Sequence, residues 1–363
     1  MEENRIEPDL SEMSKDFTSL YTYIQDDEVT DIDWDGGQLW IKRANRTREP
    51  VQDAVITESY MYNFALRVAL ENSRGFNPVD NVVSCDTDEL RITCIEQSFA
   101  TSGLSVAIRK SLPRLRFSAA EAIKRNYCEP ELMHLLVNCV LAGKNFVFCG
   151  EPGSGKTESA KFFSHYIPAN EKVMTIEDVK EWHYKRINPG KDAIELKIKR
   201  EEDFQKSLAT ALRMNPQWIM LAETRSREVR YLLECWSNGV SCMTTLHAGD
   251  VRKIPDRILN MLDSRQDSRR IVNQIYNDLG IGILLEEKTI GDSKDTFHRI
   301  EQVCFYHREE DRNECFMIVE DGEFHPEYLP EVVERELKKK LHTGNVFDCP
   351  ILEEELGKKQ KKQ

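Results

Sequence analysis

Gly150-Glu151-Pro152-Gly153-Ser154-Gly155-Lys156-Thr157 is a complete match to G-x-x-x-x-G-K-[ST], the pattern of a loop that cradles nucleotide phosphates. Each residue type has a physical task in such a loop. Glycines let backbone N–H groups curl around an anion, the lysine reaches the β- and γ-phosphates, and the threonine hydroxyl serves Mg²⁺. A helix opening near Gly155 adds the positive end of its dipole under the same charge. The flanks agree with this reading. Asn145-Phe146-Val147-Phe148-Cys149 is a short apolar run that reads as a buried strand. Ala160, Phe163 and Ser164 continue a helix after the loop, completing the strand–loop–helix order. Gly150 to Glu158 are therefore the expected nucleotide-binding residues.

Composition sets the outer bounds. With 363 residues the chain has room for two domains. A net charge of −13 argues against a protein that coats nucleic acid or an anionic membrane with its whole surface. Its 10 cysteines stand singly, without a C-x-x-C pair, so neither a zinc site nor a disulfide framework is expected. Buried reduced thiols suit the reducing cytoplasm. The apolar stretch Leu135 to Ala142 is interrupted by Asn138 and is too short for a membrane span. The polar start Met1-Glu2-Glu3-Asn4-Arg5 is unlike a signal peptide.

Patterning predicts a smaller α+β domain over residues 1–112. It contains a hairpin from Val29 to Lys42 turning at Asp35-Gly36-Gly37, a helix from Thr57 to Asn72, and alternating strands around Ile92 and Val106. Residues 113–129 read as a linker. Residues 130–342 alternate strand and helix, with apolar runs at Val173–Ile176, Trp218–Ala222, Val240–Thr245 and Ile281–Leu285. Such alternation implies an α/β domain with a mostly parallel sheet covered on both faces. A hairpin (Arg299–Tyr306, Cys315–Val319) and a charged helix near Leu329–Leu341 close it, and residues 343–363 read as a charged tail, disordered from Gly357 on.

Three clusters lie downstream of the loop. Thr175-Ile176-Glu177-Asp178-Val179-Lys180-Glu181 places carboxylates at a strand end, where a parallel sheet gathers its functional groups. Glu177 can orient or deprotonate water there, or cap the next helix. Trp218-Ile219-Met220-Leu221-Ala222-Glu223-Thr224-Arg225 ends an apolar strand in Glu223, which can hold Mg²⁺ or polarise a nucleophile. In Met243-Thr244-Thr245-Leu246-His247-Ala248-Gly249-Asp250, His247 is a structural histidine or a donor that senses a γ-phosphate.

Together these boxes resemble the secretion ATPases of type II and type IV secretion, conjugation and pilus assembly. The resemblance covers about Arg109 to Asp250. It implies a RecA-like ATPase domain behind an N-terminal domain, a hexameric ring, ATP and Mg²⁺ as ligands, and membrane platform proteins as partners at the cytoplasmic face. Stable nucleic-acid binding is not expected. By position, Glu177 falls on the water-activating candidate and Glu223 on the second acidic element. His247 falls on the histidine box, and Arg109 resembles an N-domain arginine that reaches phosphates. Thr157 and Glu223 are the expected metal residues. This chain departs from the family in having Gln217, Ala222 and Glu158, and it lacks the two-thiolate-pair zinc element of type II members. The expected activity is that of an ATPase motor, the alternative a nucleotide-gated assembly module with little hydrolysis. A DNA translocator fits the acidic balance less well.

Overall fold

A computed structural model describes residues 16–44, 47–198, 203–224, 228–262, 267–289 and 296–360. Arg225 and the last three residues of the expected tail lie outside them. Two compact units divide the chain, one running to Leu112 and the other taking nearly all residues from Pro113 on.

The first unit is an antiparallel sheet backed by helices. Its strands are β1 (Val29–Trp34), β2 (Leu39–Arg43), β3 (Arg48–Val51), β4 (Val82–Asp86), β5 (Leu90–Ile95) and β6 (Ser105–Lys110), in the order β3-β2-β1-β6-β5-β4. The expected hairpin is β1–β2. Its turn is built by Asp35, whose carboxylate accepts the backbone N–H groups of Gly37 and Gln38 at 3.1 and 2.9 Å. The helix Glu58–Glu71 sends Met61, Phe64 and Val68 into a core shared with Ile32, Trp34, Ile92 and Ile108. Along β6 the burial alternates, so Val106, Ile108 and Lys110 face inward while Arg109 is exposed.

The second unit is built on a nine-stranded sheet. Its strands are β7 (Phe146–Cys149), β8 (Val173–Glu177), β9 (Ala193–Lys197), β10 (Trp218–Leu221), β11 (Ser241–Leu246), β12 (Ile281–Thr289), β13 (Thr296–Glu309), β14 (Arg312–Glu320) and β15 (Glu323–Phe324). The order is β15-β14-β13-β12-β7-β11-β10-β8-β9, and the six strands from β12 to β9 pair in parallel. The sheet is mixed but mostly parallel, as the alternating pattern predicts. Both faces are covered. Phe146 and Phe148 of β7 enter one core with Phe162 and Phe163, while Val147 and Cys149 enter the other with Leu232 and Ile254. A strand buried on both sides is apolar throughout, which is why Phe146–Cys149 reads as an unbroken run.

Three expectations are corrected. The stretch taken as a linker, 113–129, carries the helix Ala119–Lys124, whose N-terminus closes with a Ser118–Glu121 capping box. Ala119, Ala122 and Tyr127 belong to the core. Residues beyond 342 are not merely a tail: Val346, Cys349 and Leu352 are fully buried, and the helix Pro350–Gln360 spans the start of the segment expected to be disordered. Asn138 explains the attachment, its buried amide donating to the carbonyls of Val346 and Asp348 at 2.8 and 2.9 Å. Finally, one cysteine pair does form, Cys304–Cys315 across β13 and β14, with Cα atoms 6.2 Å apart. The eight other cysteines are free. Among the described residues no helix is long and apolar enough to cross a membrane.

Candidate functional site

β7 delivers the chain to Gly150 in the gap beside β12. Gly150 has φ +139°, and a Cβ there would lie 2.4 Å from the Leu285 carbonyl oxygen and 2.6 Å from the Ser154 hydroxyl. Only glycine passes. Glu151, Pro152 and Gly153 form an exposed rim, and Ser154 is buried beneath it. Gly155, left-handed at φ +88°, is the N-cap of the helix Lys156–Ser164. That helix is seated by Phe163, whose ring stacks on Phe146 and Phe148 with centroids 6.2 and 5.9 Å apart.

Lys156 closes the loop. Its ammonium donates to the carbonyls of Gly150 and Glu151 at 3.0 and 2.9 Å, and the residue is only 9 % exposed. No side chain caps the helix N-terminus, whose first N–H groups have no acceptor within the helix. The helix-terminal amides, the dipole and a lysine thus converge on one glycine-rich turn, an arrangement suited to a polyanion.

The acidic box divides its labour. Thr157 donates its hydroxyl to Glu181 at 3.2 Å, so the carboxylate beside the loop is Glu181. Glu177 turns inward. It is 4 % exposed, and one of its oxygens accepts the backbone N–H groups of Glu181 and Trp182 at 3.0 and 2.8 Å. Burial pushes its carboxyl up to about 8, although those two N–H donors favour the charged form. Glu177 therefore shapes the turn that presents Glu181. The sequence box contained both glutamates, and only the hydrogen bonds tell them apart.

The other two boxes meet. His247, after β11, places Nε2 3.1 Å from Oε1 of Glu223, after β10. Around them the strand ends are locked by Thr224 and Thr244 hydroxyls at 2.6 Å and by Thr245 donating to the Ala222 carbonyl at 2.8 Å. Gln217 lies at the opposite end of β10, where it accepts the Lys172 N–H at 2.9 Å. At about 3.3 Å per residue, that departure sits well over 10 Å from the glutamate. Arg109 stands on the exposed face of β6 in the N-terminal unit.

In sheet order β11 separates β7 from β10, and β8 follows β10. Strands lie about 4.8 Å apart, so the loop, Glu181, Glu223 and His247 share the carboxyl edge of neighbouring parallel strands. Among the described residues no group of three or more His, Cys, Asp or Glu side chains gathers as a protein-made metal cage. Thr157 and Glu181 do provide two hard oxygen donors, the kind of sparse protein contribution that suits Mg²⁺ held mainly by phosphates and water.

Known proteins resemble this chain in sequence and in fold. The profile of the type II/IV secretion system protein family matches residues 83–279. Protein VirB11 of Agrobacterium fabrum is 32 % identical over 181 residues, 47 % of this chain and 52 % of its own length. An uncharacterized protein of Bacillus anthracis is 24 % identical over 286 residues, covering 77 % of this chain and 64 % of its own. The chain thus spans less than two thirds of these relatives. Among solved structures, the ATPase DotB of Yersinia pseudotuberculosis superposes with a TM-score of 0.62 at 14 % identity, covering 84 % of this chain and 81 % of that one. That likeness concerns the fold.

Proposed function

This chain belongs to the type II/IV secretion system protein family, and from that premise we propose that it is a Mg²⁺-dependent ATPase with a RecA-like nucleotide domain. In this reading it works as a homo-oligomeric, hexameric ring that powers macromolecular secretion, conjugation or pilus assembly. It acts at the cytoplasmic face of a membrane, which it meets through platform proteins.

The observation that carries the reading is the convergence of the glycine-rich turn, the Thr157–Glu181 pair and the Glu223–His247 pair on one sheet edge. Lys156 and the loop amides would hold the β- and γ-phosphates of ATP, offsetting charge where it grows in the transition state. Thr157 and Glu181 would hold Mg²⁺, which would supply charge neutralisation at the phosphates. Glu181 and Glu223 would orient water, and His247, beside Glu223, would donate to the γ-phosphate. The family resemblance gives Arg109 a phosphate-contacting role, which forms part of the proposal.

Steady-state hydrolysis measured against protein concentration tests it. Turnover per chain should rise cooperatively with concentration and vanish in Lys156→Ala. Glu223→Gln and His247→Ala should each slow turnover, and the double variant should be little slower than the worse single one, because the two side chains act as a pair. Tight ATP binding without turnover would transfer the assignment to a nucleotide-gated assembly module.

A further inference from the structure

Glu158, in the first turn of the helix Lys156–Ser164, lies between two cations. Lys161 donates to its Oε1 at 3.0 Å, and the Nε of Arg116 stands 3.6 Å from its Oε2. One carboxylate therefore faces two positive charges beside the residues that open the anion-binding helix. Lys161 accounts for its half of the arrangement, because its side chain is 1 % exposed and a buried ammonium needs a carboxylate. Arg116 differs. Its side chain is 31 % exposed, and the Nε contact is longer than a hydrogen bond. The Glu158 Oε2 atom is shielded from solvent and takes no hydrogen bond among the described residues. A guanidinium presents five donors in a rigid fork, and a single loose Nε contact uses little of it.

The position of Arg116 is nevertheless held. Its neighbour Phe117 lies against Phe162 and Tyr127, with ring centroids 4.8 and 5.2 Å away. Tyr127 in turn donates to Ser159 at 2.7 Å. The backbone at residue 116 is thus fastened to the helix that carries Glu158. A bare carboxylate in that first turn would repel a polyanion, and the second cation reverses the sign.

We propose that Arg116 is a nucleotide-binding residue whose guanidinium contacts the α-phosphate, with Glu158 as the positioning residue that orients it. Lys156 serves the β- and γ-phosphates, so the α-phosphate is the part of the chain left for a cation beyond Thr157. The inference rests on the reading of the glycine-rich turn as an ATP site.

Calorimetric titration of the full chain with ADP and with inorganic pyrophosphate tests it. Arg116→Gln should weaken ADP about 10- to 100-fold, the effect of one charge-assisted contact. Arg116→Lys should recover part of the loss. Pyrophosphate, which fills only the loop, should change less than about threefold, with the melting temperature nearly constant. Unchanged ADP affinity in Arg116→Gln would overturn the inference. So would equal losses for both ligands with a lowered melting temperature, which would make Arg116 a brace of the fold. Lys156→Ala keeps the two readings apart. If it abolishes ADP binding while Arg116→Gln retains it, only the Arg116 assignment fails. If Lys156→Ala binds ADP as the unaltered chain does, the loop reading fails and the Arg116 assignment with it.

Discussion

Thr157 donates its hydroxyl to Glu181 at 3.2 Å, whereas Glu177, four residues earlier, spends one carboxylate oxygen on the backbone N–H groups of Glu181 and Trp182. Two glutamates of one short box thus have different environments and different expected roles. The first is half-buried beside a hydroxyl at the mouth of the loop; the second is a buried fastener of the turn.

Substitution should separate them. Glu181→Gln keeps the shape and removes the charge, and it should lower kcat by about 10²- to 10³-fold, roughly 2.7–4 kcal/mol of transition-state stabilisation, with ATP still bound. Glu177→Gln retains an acceptor for both N–H groups and should cost less than about tenfold in kcat. Paired kcat and KM measurements decide between them. A larger loss in the Glu177 variant would assign the water-orienting role to Glu177 instead.

Glu177 also makes stability depend on pH. Its carboxyl is raised from 4.5 to about 8 in the folded chain, so the folded state holds this proton more tightly than the unfolded state. The contribution is fully present below about pH 4.5 and is lost as pH rises through 8. The stability difference between the unaltered chain and Glu177→Gln should therefore move against the unaltered chain from pH 5 towards pH 8. Parallel melting curves at several pH values measure this. A difference that stays flat across the range would show that Glu177 is not held protonated.

Asn138 should prove structural. Asn138→Ala leaves the carbonyls of Val346 and Asp348 without their donor, which costs about 2 kcal/mol where such groups are buried. Denaturant titration would read the loss, and limited proteolysis should cut the segment after 342 sooner than in the unaltered chain. Unchanged protection would mean that Val346, Cys349 and Leu352 alone hold this segment in the core.

The central strands were legible because β7, β8, β10, β11 and the Ile281–Leu285 part of β12 are buried on both faces, which makes them rich in apolar residues. β9 escaped notice. Its residues Ala193-Ile194-Glu195-Leu196-Lys197 form the outer strand beside β8, and half-buried alternation of five residues is a weak signal beside polar loops. The helix at Ala119–Lys124 was hidden by the prolines and arginines before it, although its capping box, Ser118 and Glu121, stood in plain view. The site was legible in its parts. The loop, Glu181, Glu223 and His247 each stand in a recognisable box, but no box tells which side chain pairs with which.

The amino-acid sequence by itself determined what short-range physics decides: where glycine must permit a left-handed backbone, where an apolar run must be buried, and where a helix starts. Only the tertiary structure decided which of Glu177 and Glu181 faces Thr157, that Glu223 meets His247, and that Asn138 secures residues more than two hundred positions away. Those pairings depend on the order in which parallel strands lie side by side, and strand order is set by packing of the whole sheet rather than by any local pattern.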